Sequence, residues 1–290
     1  MESKFEKRRN VMNILYSGDA NIADGVILSS LSLAHHVKEP LNIYVLTASL
    51  DYGEKRMVAL ESDFSAFLQN QLRTIKSDVT LTHIDISEAF ARQIPSSNME
   101  TRFTPGCMLR LFADEVDALP PKILYLDNDV ICRGDIGQFY NLQMGKCSLA
   151  GVLDYYGEWF FRQKFYKRDY LNSGVLLLNL AQIRKNGLFA RAREMCATKK
   201  MFMPDQSALN KLCKDKIICE RRYNEQRKLK SDTVLQHFTT SFRFFPYFHS
   251  VSVKPWNVEG MHEILKLHEY DGLIEEYQQV KNLYLKEKNK

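Results

Sequence analysis

The first third of the chain alternates apolar runs of strand length with longer segments of helical period, and few folds accept that alternation. The runs Val11 to Gly18, Leu41 to Ala48 and Val79 to Ile84 are dominated by apolar residues. Between them, Gly25 to Val37 sets Val26, Ile27, Leu31 and Ala34 on one helical face, with Asp24 placed to cap it. Gly53 to Leu72 does the same with Met57, Leu60, Phe64, Leu68 and Leu72. A βαβαβ order predicts a mostly parallel, Rossmann-like central sheet with helices on both sides.

The remaining pattern extends that α/β reading. A helix is predicted near Pro105 to Val116, then strands at Lys122 to Leu126, Ser148 to Asp154 and Gly174 to Leu180. Helices follow at Gly187 to Ala197 and Gln206 to Leu212, a short strand at Val234 to Phe238, and two short helices at Met261 to His268 and Leu273 to Leu283. With 290 residues, 45% of them hydrophobic, the chain can bury a sizeable core. The expected organisation is one α/β domain over residues 1–257 and a helical C-terminal extension over 258–290.

The sharpest local feature is ILYLDNDV. An apolar strand delivers Asp127 and Asp129 just beyond its end, and residues i and i+2 of extended chain point the same way. Both carboxylates can then reach one hard divalent cation, whose remaining oxygen ligands a diphosphate supplies. A solvated Asp/Asn turn is the plain alternative, and the strand-end position favours the ligand site. Asp19 and Asn21 end the first strand, either as contacts to a base or ribose or as ordinary turn formers. His237, in LQHF, is a candidate third metal ligand, with His249 as its rival. Lys254, in VKPW, is placed either to neutralise diphosphate or to lie solvated beside Trp256. Asp205 and Gln206, after Pro204, either cap a helix or hold sugar hydroxyls.

Taken in order, ILYSGDANIADGVILSSLSL, LRLFADEV before ILYLDNDV, YLNSGVLLLNL, MPDQSALN, LQHF and VKPWN resemble glycosyltransferase family 8 over about residues 11–260. The resemblance includes the bacterial lipopolysaccharide galactosyl- and glucosyltransferases and glycogenin. It implies a GT-A type fold and a retaining transferase that moves glucose or galactose from UDP-glucose or UDP-galactose to a saccharide or glycoconjugate acceptor. The implied cofactor is Mn(II), or Mg(II) in its place. Asp127, Asp129 and His237 carry over as metal ligands. Ser17, Asp19, Asn21, Arg110, Asn128, Ser173 and Lys254 carry over as donor-binding residues. Asn172, Asp205 and Gln206 carry over to the reacting centre.

Two departures stand out. Ile22 occupies a position where the family often has a Tyr that stacks on uracil. The stretch TTSFRFFPYFHSVSV lengthens the interval between His237 and Lys254, and puts Phe242, Phe244, Phe245, Tyr247 and Phe248 near the expected cleft, as a lid, an acceptor wall or plain packing. Tyr155, Tyr156, Trp159, Phe160 and Phe161 are a second candidate wall for acceptor sugars, or core.

The formal charge of +5 suits an acidic small donor, and no fingers or basic helix point to nucleic acid. Six cysteines without a CxxC pair read as reduced, mostly buried thiols. The polar start MESKFEKRRN and the lack of an 18-residue apolar run predict a cytoplasmic protein, with weak peripheral contact at the inner face of a membrane at most. Oligomeric state stays open. Two other readings use the same residues: a nucleotide-sugar-binding protein without transfer activity, and a DxD phosphohydrolase.

Overall fold

The computed structural model describes residues 11–99, 105–157, 169–243 and 249–288, with Lys55, Phe242, Arg243 and His249 described by backbone alone. The strands, in chain order, are β1 (Met12–Ser17), β2 (Leu41–Thr47), β3 (Leu50–Tyr52), β4 (Lys55–Met57), β5 (Val79–Asp85), β6 (Lys122–Leu126) and β7 (Val130–Cys132). They continue as β8 (Leu149–Leu153), β9 (Leu171–Asn179), β10 (Lys216–Ile218), β11 (Leu235–His237), β12 (Ser241–Arg243) and β13 (His249–Val251). Seven of them form one sheet in the order β10-β8-β9-β6-β1-β2-β5.

Alternation along the central strands explains the layers. Ile14 and Tyr16 pack into one core, together with Leu124 and Leu126, while Leu15 belongs to the opposite core with Ile123 and Tyr125. A strand buried on both faces reads as a continuous apolar run, as β1 and β6 do. Helix Ala23–His36 covers the first face and buries every residue from Gly25 to Ala34. It lies between the sheet and the final helix Asp271–Lys288, whose Ile274, Tyr277 and Val280 join the same core. Helices Leu188–Thr198 and Pro204–Leu212 cover the second face.

The sheet is parallel except at β9. Strands β1, β2, β5 and β6 run together, β9 runs against both β6 and β8, and β10 follows β8. Two consequences position the site. The chain leaves β1 towards β2 on one side and returns as β6 on the other, so a crevice opens at the carboxyl ends of β1 and β6. Because β9 is reversed, its first residues lie at that same edge, with Val175 opposite Leu126.

Three expected elements differ. The helix predicted to start at Gly53 starts at Ser62, because Leu50–Tyr52 and Lys55–Met57 form a hairpin that turns at Gly53 with φ 58. Residues Pro105–Phe112 form 3-10 rather than α-helix. The predicted Met261 helix is a single π-helical turn, Gly260–Ile264. The inserted stretch after His237 pairs β12 with β13. Phe244, Phe245, Tyr247, Phe248, Trp159, Phe160 and Phe161 lie outside the described residues, as do the side chains of Phe242 and His249. All six cysteines are free, with Cys132, Cys196 and Cys213 buried. No helix among the described residues is long and apolar enough to cross a membrane.

Candidate active site

Asp127 and Asp129 flank Asn128 in the turn that joins β6 to β7. Two backbone bonds fix that turn: the Asp127 N–H donates to the Gly174 carbonyl at 2.7 Å, and the Phe238 N–H donates to the Asp129 carbonyl at 3.0 Å. The second bond continues the pairing of β7 with β11, in which His237 stands opposite Val130. His237 is thereby delivered to the two carboxylates. Its Nε2 lies 3.1 Å from Asp129 Oδ1 and 3.5 Å from Asp127 Oδ2, while its Nδ1 faces Asn224 Oδ1 at 3.2 Å. An Nδ1–H donated to Asn224 turns Nε2 toward the carboxylates, and loss of the Nε2 proton would leave the tautomer a metal-binding histidine needs.

Charge at the centre is balanced by buried cations. The Arg110 guanidinium donates to Asp127 Oδ1 at 2.8 Å and to the Ser173 carbonyl at 2.6 Å, lies 3.3 Å from Asp205 Oδ2, and sits over the Tyr125 ring at 4.1 Å. Tyr125 donates its hydroxyl to the same Asp127 oxygen at 2.8 Å. Burial opposes ionisation of Asp127, but Arg110 and His237 outweigh it and hold the carboxyl well below the usual range. Burial opposes ionisation of Asp129 too, and Lys254, which donates to its Oδ2, and His237 lower it. Burial pulls the His237 imidazole down, while Asp129 and Asp127 raise it to about 9.

The residue set fits a divalent cation. Asp127, Asp129 and His237 offer donor atoms within 4.8 Å of one another. Asp129 Oδ1 is buried and faces only His237 Nε2, at 3.1 Å, so a cation that replaces the imidazole proton would meet both donor atoms at once. Two carboxylate oxygens and one imidazole nitrogen suit Mn(II). Space for the cluster depends on Gly174: a Cβ there would sit 2.1 Å from His237 Cε1 and 2.6 Å from Asp127 Oδ2.

The cluster forms the floor of a cavity of about 290 Å³. Its walls include Ser17, Asp19, Arg110, Asn128, Asn172, Ser173, Asp205, Gln206 and Lys254, all named by the sequence. Asn21 is exposed beside this wall, its amide donating to Asp19 Oδ2 at 3.1 Å, and does not line the cavity. Ile22, Tyr156, Thr239 and Thr240 do line it. Gln206 is held firmly: its Oε1 accepts from the Ser173 N–H at 2.9 Å, and its Nε2 donates to Asp154 Oδ2 at 3.3 Å. Asp205 Oδ2 is buried and lacks a hydrogen bond.

Asp154, Asn224 and Tyr125 were not singled out in the sequence. Asp154 lies just past the end of β8, which runs parallel to β6, and so reaches the same edge as Asp127. It accepts from Asn172 Nδ2 at 3.0 Å. Asn172 Oδ1 accepts from the Gly174 N–H and from Asn224 Nδ2, both at 3.0 Å, and so links the Asp154 side of the cavity to the histidine. An acidic residue ending an apolar run, as at Asp127, is the signal that could have found Asp154.

An α/β sheet with one reversed strand and an acidic pair at its carboxyl edge defines a GT-A-like glycosyltransferase fold. Solved structures agree. The galactosyltransferase LgtC in complex with donor and acceptor sugar analogues superposes with a TM-score of 0.65 at 21% identity, over 92% of this chain and 96% of that one. The bifunctional glycosyltransferase WbbM gives 0.68 at 17% identity, over 97% of this chain and 52% of that one.

The profile of Glycosyl transferase family 8 matches residues 13–260, and the chain belongs to that family. Among curated relatives, the lipopolysaccharide 1,2-glucosyltransferase of Escherichia coli K12 is 29% identical over 76% of this chain, and the lipopolysaccharide glucosyltransferase WaaO of the same strain is 32% identical over 57% of it. Those alignments span 64% and 52% of the two relatives' own lengths.

Proposed function

We propose that the protein is a retaining, Mn(II)-dependent hexosyltransferase that moves glucose or galactose from a UDP-sugar to a saccharide or glycoconjugate acceptor of the lipopolysaccharide or cell-surface type. The observation that carries this reading is the convergence of Asp127, Asp129 and His237 on the cavity floor, with donor atoms within 4.8 Å of one another. Mn(II), or Mg(II), held by these three residues supplies Lewis-acid stabilisation of the leaving diphosphate. The transferase unit spans residues 1–257, with 258–290 as a helical extension packed onto the same core. The protein works in the cytoplasm or at the inner face of a membrane.

The chain's own groups divide the remaining work. Ser17, Asp19 and Asn128 orient the nucleoside at the switch between β1 and β6, with Asn21 at the margin. Lys254 places positive charge beside the diphosphate, and Arg110 keeps Asp127 ionised and fixed. Asn172, Ser173, Asp205, Gln206 and Asp154 line the sugar side. Asp205, whose Oδ2 lies 3.3 Å from Arg110, and Gln206 line the cavity where sugar hydroxyls and the anomeric carbon are proposed to sit. The acceptor hydroxyl enters on the face that the phosphate leaves, so configuration is retained.

The test is UDP release from a panel of UDP-sugars, with and without Mn(II), in wild type and Asp129→Asn, alongside calorimetric UDP binding. Metal-dependent release from one sugar, lost in the variant, is the expected outcome. Absence of UDP binding in wild type would remove the donor assignment. UDP binding without release, with or without added saccharide acceptors, would favour a binding protein.

A further inference from the structure

A second cluster of metal-binding side chains lies outside the cavity, where the last helix begins. His262 belongs to the π-helical turn Gly260–Ile264, and Asp271 is the first residue of helix Asp271–Lys288. His262 Nε2 lies 2.7 Å from Asp271 Oδ1, and His268 Nδ1 lies 3.3 Å from Oδ2 of the same carboxylate. The two imidazole rings stack at 4.3 Å, 26° from parallel. One donor atom from each residue falls within 4.8 Å of the others.

The backbone beneath these side chains is fixed by the core. Met261 is fully buried and Tyr270 is 4% exposed. The Leu267 N–H donates to the Met261 carbonyl at 3.0 Å, and the Asp271 N–H donates to the His268 carbonyl at 3.2 Å. The intervening turn passes through Lys266 at φ 56, a left-handed conformation costly for a residue with a side chain. These anchors bring two imidazoles and a carboxylate together before anything binds, which lowers the ordering cost of a ligand.

Two imidazole nitrogens and one carboxylate oxygen suit Zn(II), Ni(II) or Cu(II). Mg(II) and Ca(II) demand all-oxygen sets. We propose that His262, His268 and Asp271 form a second metal site for a borderline transition cation of the Zn(II) class, separate from the cluster in the cavity. Water completes the coordination, since the three side chains are 32%, 65% and 43% exposed. The bound cation staples the π-helical turn to the last helix. That helix packs on Ala23–His36 and pairs Lys281 with Asp24 at 2.9 Å.

The test is zinc stoichiometry of chelator-stripped full-length protein, dialysed against micromolar Zn(II) alone and read by elemental analysis and melting temperature. Wild type, His268→Gln, His262→Gln and Asp129→Asn are compared, so that zinc in the cavity is counted apart. Each histidine variant should bind one zinc fewer than wild type. Asp129→Asn should retain this zinc and melt several degrees higher with it, as expected of a ligand that binds only the folded chain. Equal stoichiometry in wild type and His268→Gln, or no zinc in Asp129→Asn, would overturn the proposal. His268 is exposed enough that its replacement leaves the fold intact, and the readout does not depend on transfer activity.

Discussion

A single methyl group at position 174 would collide with the His237 ring and with Asp127, which makes this glycine a probe of the cavity floor. Gly174→Ala should retain native circular dichroism while UDP release falls roughly a hundredfold, the scale of an ångström misplacement in an active site. Arg110 offers a different probe. Its guanidinium contacts Asp127 and Asp205 and is 4% exposed, so Arg110→Met strands buried charge and should cost about 3–5 kcal/mol in urea unfolding. Arg110→Lys should recover little of this, because one ammonium cannot span the same fork. Asp127 and Asp129 stood out by their spacing at a strand end, whereas His237, Asp205 and Gln206 stood beside plain alternatives and were named through the family resemblance. Asn224 was not legible, because it acts only through Asn172 and His237, on two separate strands, while Asp154 carried the signal of an acidic residue ending an apolar run.

Elements are joined by a few polar and aromatic contacts. The fully buried Ser32 accepts from the Cys132 N–H at 2.9 Å and donates to the Ser29 carbonyl at 2.6 Å, tying helix Ala23–His36 to β7. Ser32→Ala should leave that N–H unpaired at a cost of about 1–3 kcal/mol, read by chemical denaturation. Tyr284 of the last helix packs against Phe64 and Phe67 at 5.4 and 5.2 Å, and Tyr284→Ala should lower the melting temperature by a few degrees. At this scale the central strands were readable from their apolar runs. Two features were not. The Leu50–Met57 hairpin sits inside a stretch whose apolar residues also match helical period. The reversal of β9 leaves no mark on periodicity, because a buried strand has the same pattern in either direction.

Across the whole molecule, the two cores on either side of the sheet take up most of the thiols. Burial pushes Cys132 and Cys196 up to about 12, Cys213 to about 11 and Cys219 to about 11. At pH 8 the thiolate fraction of each is small, so alkylation by iodoacetamide should be slow in native protein and fast in denaturant, as mass spectrometry would count. The parallel α/β sheet was legible in the order of runs and its GT-A type in the family resemblance, and the strand at Val234 to Phe238 was expected, but its antiparallel pairing with β7 was not.

The pairing of β7 with β11 also constrains the order in which the protein can mature. The carboxylates leave the ribosome long before the histidine and the lysine, and Lys254 stands 125 residues beyond Asp129. Contacts of such separation form late, after the local β1–β2–β5 half has its own core. The nascent chain therefore carries an acidic pair that lacks its imidazole, and the three-residue cluster is complete only once synthesis has passed residue 237. Assembly of the cluster is in this sense a report that synthesis has reached the short strands that carry its histidine.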